Sequence, residues 1–310
     1  MIQHQPFTLS MLHPRYWLTW LGLAILRITI ILPYPMLCKL GRMVGRLLFK
    51  IPSKRKHVVI TNLKIAFPDW NIDKVNEIAL KNFEATGINI FDTFLSWWGS
   101  KKTLFPLMEI EGLEHLDKAL ENGRGAILLG AHFTTLEIAG RFMTFHRPAK
   151  ALYRHQNNEV VNRMMVNGRL KYLDELIHRN DIRKMVKSLK KNGIIWFPPD
   201  QAYSGKQSVL VNFFGRDVSC TTSTSRLAKL TKTKIIPFFT ERKEDDSGYI
   251  LRLHPALEDF PSKDITEDTQ RLFNIFEQEI RQRPTQYLWL HKRFKPYFDG
   301  MHDVYKQGIK

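Results

Sequence analysis

Cysteine is nearly missing from this chain: of 310 residues only Cys38 and Cys220 are cysteines, and they form no CxxC pair. That excludes a disulfide framework and a thiolate metal cluster, and it suits a reducing compartment. Both read as ordinary buried or interfacial thiols. Also missing are HExxH or any other dense ligand cluster for zinc, a GxSxG elbow, and a GxxxxGK[ST] loop. GRGAILLG (Gly123 to Gly130) does not fit a dinucleotide fingerprint. If the chain is an enzyme, base catalysis without a protein nucleophile, metal or cofactor is the simplest scheme left. Acidic residues are scarce: 30 Asp and Glu face 47 Lys and Arg, for a net charge of +17. An anionic partner is therefore expected, such as nucleic acid, an anionic lipid surface, an acidic carrier protein or a phosphorylated substrate. Nucleic acid is disfavoured, because the basic residues are dispersed and no nucleic-acid motif is present.

The N-terminus is apolar. Trp17 to Leu32 reads WLTWLGLAILRITIIL, between Arg15 and Pro33. A bilayer core needs roughly 20 apolar residues, so the run is short for a span. No small-residue cleavage site follows it, and an anchor is expected in place of a signal peptide. The alternative is a buried core helix. In the next stretch Lys39, Arg42, Arg46 and Lys50 recur at helical spacing, with Leu37, Leu40, Val44, Leu47 and Leu48 opposite. That is the pattern of a basic amphipathic helix at a membrane surface. SKRKH at Ser53 to His57 adds positive charge after the apolar run, which predicts a cytoplasmic body.

The rest reads as one body without linkers or repeats. Residues 1–57 are assigned to the anchor and basic interfacial helix, and 58–310 to a single globular domain. Strands are predicted at Ala126–Gly130, Lys150–Tyr153, Ile194–Phe197, Lys234–Thr240 and Tyr249–Leu253. Helices are predicted over much of 71–98 and at Leu113–Asn122, Thr135–His146, Glu159–Leu176, Asp181–Asn192, Thr222–Thr231 and Glu267–Gln282. Alternation of this kind predicts an α/β fold with a mostly parallel central sheet flanked by helices. Ligands in such folds gather at the carboxyl ends of strands.

His132 follows such a strand, and Glu137 lies five positions on. Positions five apart on a straight helix face different directions at about 100° per residue. The two could meet only if His132 sits in the turn and Glu137 in the first helical turn. A carboxylate on one imidazole nitrogen would leave the other free as a base. The competing reading is a capping box, Thr134-x-x-Glu137, with His132 a satisfied loop residue. Spacing alone leaves both open.

Several ordered blocks change this. HFTTLE (His132 to Glu137) has the HxxxxD/E form. LYR at Leu152–Arg154, NGR at Asn167–Arg169, FPPDQAYSGKQSVLVNFFG at Phe197–Gly215, KIIPFF at Lys234–Phe239 and YLWLHKRFK at Tyr287–Lys295 follow in order, and TNLKIAFP at Thr61–Pro68 precedes them. Together they resemble the late acyltransferases of lipid A biosynthesis, within the lysophospholipid acyltransferase superfamily. The resemblance implies transfer of a fatty acyl chain from acyl carrier protein, as co-substrate, to a hydroxyl of an acyl chain on a Kdo-bearing lipid A precursor. His132 would be the base and Glu137 its orienting carboxylate. It also implies an inner-membrane enzyme with a single N-terminal anchor and a cytoplasmic catalytic domain.

Other roles follow from residue chemistry. Arg154 and Arg169 are candidate phosphate contacts, since guanidinium binds such oxygens bidentately. Asp200, just after a predicted strand, and Lys206 and Arg216 in turns, complete the candidate substrate site. Trp289, His291 and Arg293 read as packing. Two other readings keep parts of this picture: a glycolipid or glycerophospholipid acyltransferase using acyl-CoA, and a non-enzymatic basic binding protein on membranes. The third block lacks the PEGTR-like sequence common among glycerol-phosphate acyltransferases.

Overall fold

Prolines and short polar caps break the helical pattern. The computed structural model describes residues 2–298 and 300–306. The apolar segment forms α1 (Trp17–Thr29), and Pro33 starts α2 (Tyr34–Lys50). Ser53 caps α3 (Lys54–Ala66) by accepting from the Lys56 amide, and Asn71 caps α4 (Ile72–Trp98) through Lys74. After the short α5 (Lys101–Leu104), strands and helices alternate: β1 (Met108–Glu111), α6 (Leu113–Leu120), β2 (Ala126–Leu129), α7 (Leu136–Met143), β3 (Lys150–Tyr153), α8 (Glu159–Arg169), β4 (Glu175–His178), α9 (Ile182–Lys190) and β5 (Ile194–Phe197). The hairpin β6 (Ser208–Phe213) and β7 (Arg216–Thr221) precedes α10 (Ser223–Thr231), β8 (Lys234–Arg242), β9 (Tyr249–Leu253) and α11 (Ile265–Gln282).

Seven strands form one sheet in the order β1-β9-β8-β2-β5-β3-β4, and only the β8–β9 pairing is antiparallel. The central strand β2 is buried along its whole length, as expected where helices cover both faces. On one face Ile127, Leu129, Ile195 and Phe197 pack with α9, α10 and α11; on the other Ala126, Leu128, Ile194 and Phe238 pack with α6, α7 and the middle of α4. The expected single-domain α/β architecture is what the chain adopts, and all five predicted strands form. Four more were not predicted. One of them, β4, overlaps the end of the predicted helix Glu159–Leu176; α8 stops at Arg169. β4 reads Glu-Leu-Ile-His, and two adjacent apolar residues carry too little period to tell helix from strand.

The N-terminal region departs further from expectation. Among the described residues no helix is long and apolar enough to cross a membrane, and α1 has only 13 residues. The basic stripe of α2 is partly consumed by the body: Arg42 pairs with Asp246, and Arg46 with Glu84. The face of α2 that packs inward is Leu37, Cys38, Gly41 and Gly45, against α4. A Cβ on Gly45 or Gly87 would run into the facing backbone, so the two helices meet at contact distance only because these residues are glycine. The expected boundary at residue 57 falls inside α3. Left uncovered is an apolar surface running from Leu9 and Leu12 through Leu18, Leu21, Ile25, Ile28 and Ile31 to Met43 and Leu47; Leu18 and Ile31 are more than 80% exposed.

Candidate active site

β2 and β5 are parallel neighbours, with Leu129 opposite Phe197. His132 and Asp200 each lie three residues beyond these paired ends, and the two loops bring them together. Asp200 Oδ1 lies 2.5 Å from His132 Nδ1, and Oδ2 accepts from the His132 amide at 2.9 Å. Tyr287 donates its hydroxyl to the same Oδ2 at 2.9 Å. The loop is held from the other side as well, because the His132 carbonyl accepts from the Leu288 amide. Asp200 is fully buried. Burial pushes its carboxyl up, but the His132 charge, the two His132 bonds and the Tyr287 hydroxyl outweigh that and bring its pKa to about 2. An ionised carboxylate at Nδ1 fixes the ring and leaves Nε2 free.

Glu137 is elsewhere engaged. Its Oε1 accepts from Trp97 Nε1 at 2.6 Å, from Arg169 Nε at 2.8 Å and from the Tyr172 hydroxyl at 3.1 Å; Oε2 accepts from Arg169 Nη2 at 2.5 Å. Burial would raise the Glu137 carboxyl, and the Arg169 charge with these donors more than reverses it, holding Glu137 ionised and below the usual range. The expected His132–Glu137 contact is thus replaced by two separate pairs, His132–Asp200 and Glu137–Arg169. The capping box does not form either: α7 starts one residue later, with Thr135 as N-cap, and the buried Thr134 hydroxyl has no partner among the described residues.

The remaining candidates are scattered. Arg169, expected at a phosphate, is spent on Glu137. Arg154 follows β3 on the carboxyl edge of the sheet and is exposed. Lys206, before β6, is exposed and Arg216, at the start of β7, is half-buried. None of the three lines the cavity that holds His132. That cavity has a volume of about 570 Å³ and is walled by Lys54, Arg55, His132, Asp200, Tyr287, His291, Lys292, Arg293 and Lys295, among others. The closing segment, which read as packing, therefore forms much of the site. Buried asparagines secure it: Asn82 of α4 donates to the carbonyls of Thr285 and Tyr287, and Asn62 of α3 to those of Trp289 and His291. Asn82, set among the apolar positions Ile78, Ala79 and Phe83 of a predicted helix, was a signal available in the sequence; no helix is predicted around Asn62. The His291 ring lies 5.9 Å from that of His132.

A buried carboxylate–imidazole pair opening into a basic cavity is equipped to deprotonate a hydroxyl near an anionic group. Comparison with known proteins gives the family. The model of the bacterial lipid A biosynthesis acyltransferases matches residues 4–296. The chain is 34% identical to the lipid A biosynthesis lauroyltransferase of Escherichia coli (strain K12), over 96% of this chain and 98% of that one. It is 35% identical to the palmitoleoyltransferase of the same strain, over 93% and 94%. To its myristoyltransferase it is 26% identical, over 97% and 94%. This chain is an O-acyltransferase and belongs to the bacterial lipid A biosynthesis acyltransferase family.

Proposed function

We propose that this enzyme transfers a fatty acyl group from acyl carrier protein to a hydroxyl on an acyl chain of a Kdo-bearing lipid A precursor, with His132 as general base. The observation that carries this reading is the His132–Asp200 pair in the wall of the basic cavity. Nε2 takes the proton of the acceptor hydroxyl as its oxygen attacks the thioester carbonyl. Asp200 stabilises the imidazolium so formed. The carbon–sulfur bond then breaks, the acyl group stays on the acceptor oxygen, and the departing thiolate recovers the proton from His132. No covalent acyl-enzyme and no cofactor is needed. Glu137 acts as a positioning residue: its bonds to Arg169, Trp97 and Tyr172 lock the first turn of α7, which holds the His132 loop in place. Arg154, Lys206 and Arg216 remain candidate contacts for phosphates of the acceptor.

The apolar surface of α1 and α2 supports attachment to the inner membrane with these helices lying in the bilayer interface, Lys39 and Lys50 near the headgroups. The body then faces the cytoplasm, where an acidic carrier protein is drawn to a positive enzyme.

The test is incubation of detergent-purified protein with acyl-acyl carrier protein and a Kdo₂-tetraacyl lipid A precursor, followed by mass spectrometry of the lipid. The parent adds an acyl chain. His132→Ala abolishes addition, and Asp200→Asn lowers kcat by about 10²–10⁴ with the fold retained. Full activity in both folded variants moves the chemistry elsewhere. Transfer from acyl-CoA but not from the carrier protein changes the donor.

A further inference from the structure

Five cations wall the His132 cavity: Lys54, Arg55, Lys292, Arg293 and Lys295. The one carboxylate among the lining residues, Asp200, is already held by His132 and Tyr287. Several arginines elsewhere, Arg42, Arg169, Arg242 and Arg252 among them, pair with a nearby acid, yet none of these five has a carboxylate oxygen within 4.0 Å among the described residues. Arg55 is turned onto a backbone carbonyl, that of Leu290, at 2.8 Å. Lys292 and Lys295 lie against the rings of Tyr305 and Tyr297.

Arg293 makes the case stronger than surface lysines could. It is 2% exposed, packed between the Phe213 and Phe273 rings, and among the described residues the only polar partner of its side chain is the Cys220 sulfur. Its Nε and Nη1 have no partner among the described residues. Burying a guanidinium without a counter-charge costs several kcal/mol, so an anion close by would relieve it. Lys54 and Arg55 are the first two residues of α3, a 13-residue helix whose free amides and dipole also favour negative charge there.

We propose that this wall is a phosphate subsite of the acyl-transfer centre, binding a phosphate ester carried by one of the two substrates while His132 acts on the hydroxyl. The proposal rests on the reading of His132 given above. Two sources share the chemistry: a sugar phosphate of the acceptor, and the phosphodiester of the carrier protein's prosthetic arm. Lys54, Lys292 and Lys295 supply contacts, and Arg293 supplies a fixed positive charge behind the wall.

The test uses the full chain and the Lys54→Ala/Lys292→Ala/Lys295→Ala variant, with Lys54→Glu alone as a second, less disruptive variant. Loss of the charged hydrogen bonds raises one KM by about tenfold or more, with kcat changing far less. A raised acceptor KM assigns the subsite to the sugar phosphate, and a raised donor KM to the prosthetic arm. A second arm needs no turnover: inorganic pyrophosphate, at constant ionic strength, raises the melting temperature of the parent and not of the variants. Unchanged KM values together with equal pyrophosphate response overturn the subsite. If the parent transfers no acyl group at all, the catalytic reading falls, and the pyrophosphate arm still decides whether the anion site exists.

Discussion

At the scale of single residues, the two buried carboxylates of the site differ in what holds them and so in what their loss should do. Glu137 neutralises a buried arginine, and removing one partner of such a pair costs about 3–5 kcal/mol. Glu137→Gln is expected to lose roughly that much in urea unfolding, and adding Arg169→Met should recover part of it. A Glu137→Gln protein as stable as the parent but inactive would instead put Glu137 directly in the chemistry. Both carboxyls have pKa values lowered by folding, so the stability they confer is complete above the ordinary carboxylate range near pH 4. It is lost as pH falls, and for Asp200 the loss runs down to about pH 2. The urea midpoint of the parent should therefore drop between about pH 5 and pH 3, and Asp200→Asn should flatten that drop.

At the scale of elements, what could be read in advance depended on range. Strands β2, β5, β8 and β9 announce themselves as apolar runs between turn residues, and His132 and Asp200 both stand out by following strands. Their partnership does not, because it depends on β2 and β5 being neighbours, and strand order is not written in any local pattern. A carboxylate five residues away in sequence is the more visible partner; one 68 residues away at the same offset past a paired strand is the actual one. The closing segment is legible only in part for a similar reason: Trp289 and Arg293 are indeed packed in the core, while His291, Lys292 and Lys295 turn outward to the cavity. The glycine contact of α2 and α4 is open to direct test. Gly87→Ala inserts a methyl group against backbone that cannot rotate away, an overpacking worth about 1–3 kcal/mol. The Tm should fall by about 2–10 °C in differential scanning calorimetry, and an unchanged Tm would show that the helices can separate freely.

At the scale of the whole molecule, charge and apolar surface are divided between regions. The exposed apolar row on α1 and α2 should sit in the bilayer interface, where each buried leucine or isoleucine contributes about 1.5–3 kcal/mol. High salt should not release the protein from anionic vesicles, whereas Leu18→Glu/Leu21→Glu/Ile25→Glu should weaken vesicle binding by more than about a hundredfold. Release by salt alone would mean that charge, not apolar contact, holds the enzyme there.

The long helix α4 gives that arrangement a consequence. Near its middle, Gly87 is clamped against α2; about 15 Å further along, Trp97 is bonded to Glu137; and toward its start, Asn82 grips the segment that walls the cavity. If α1 and α2 rest on lipid and His132 is the base, as proposed, the helix is a strut between the two. The height of His132 above the bilayer is then a built-in constant. An enzyme so placed would gauge depth: a hydroxyl would be acylated when the lipid that bears it can be lifted to that level, so acceptors with similar chemistry would be sorted by how far their reactive oxygen lies from the membrane plane.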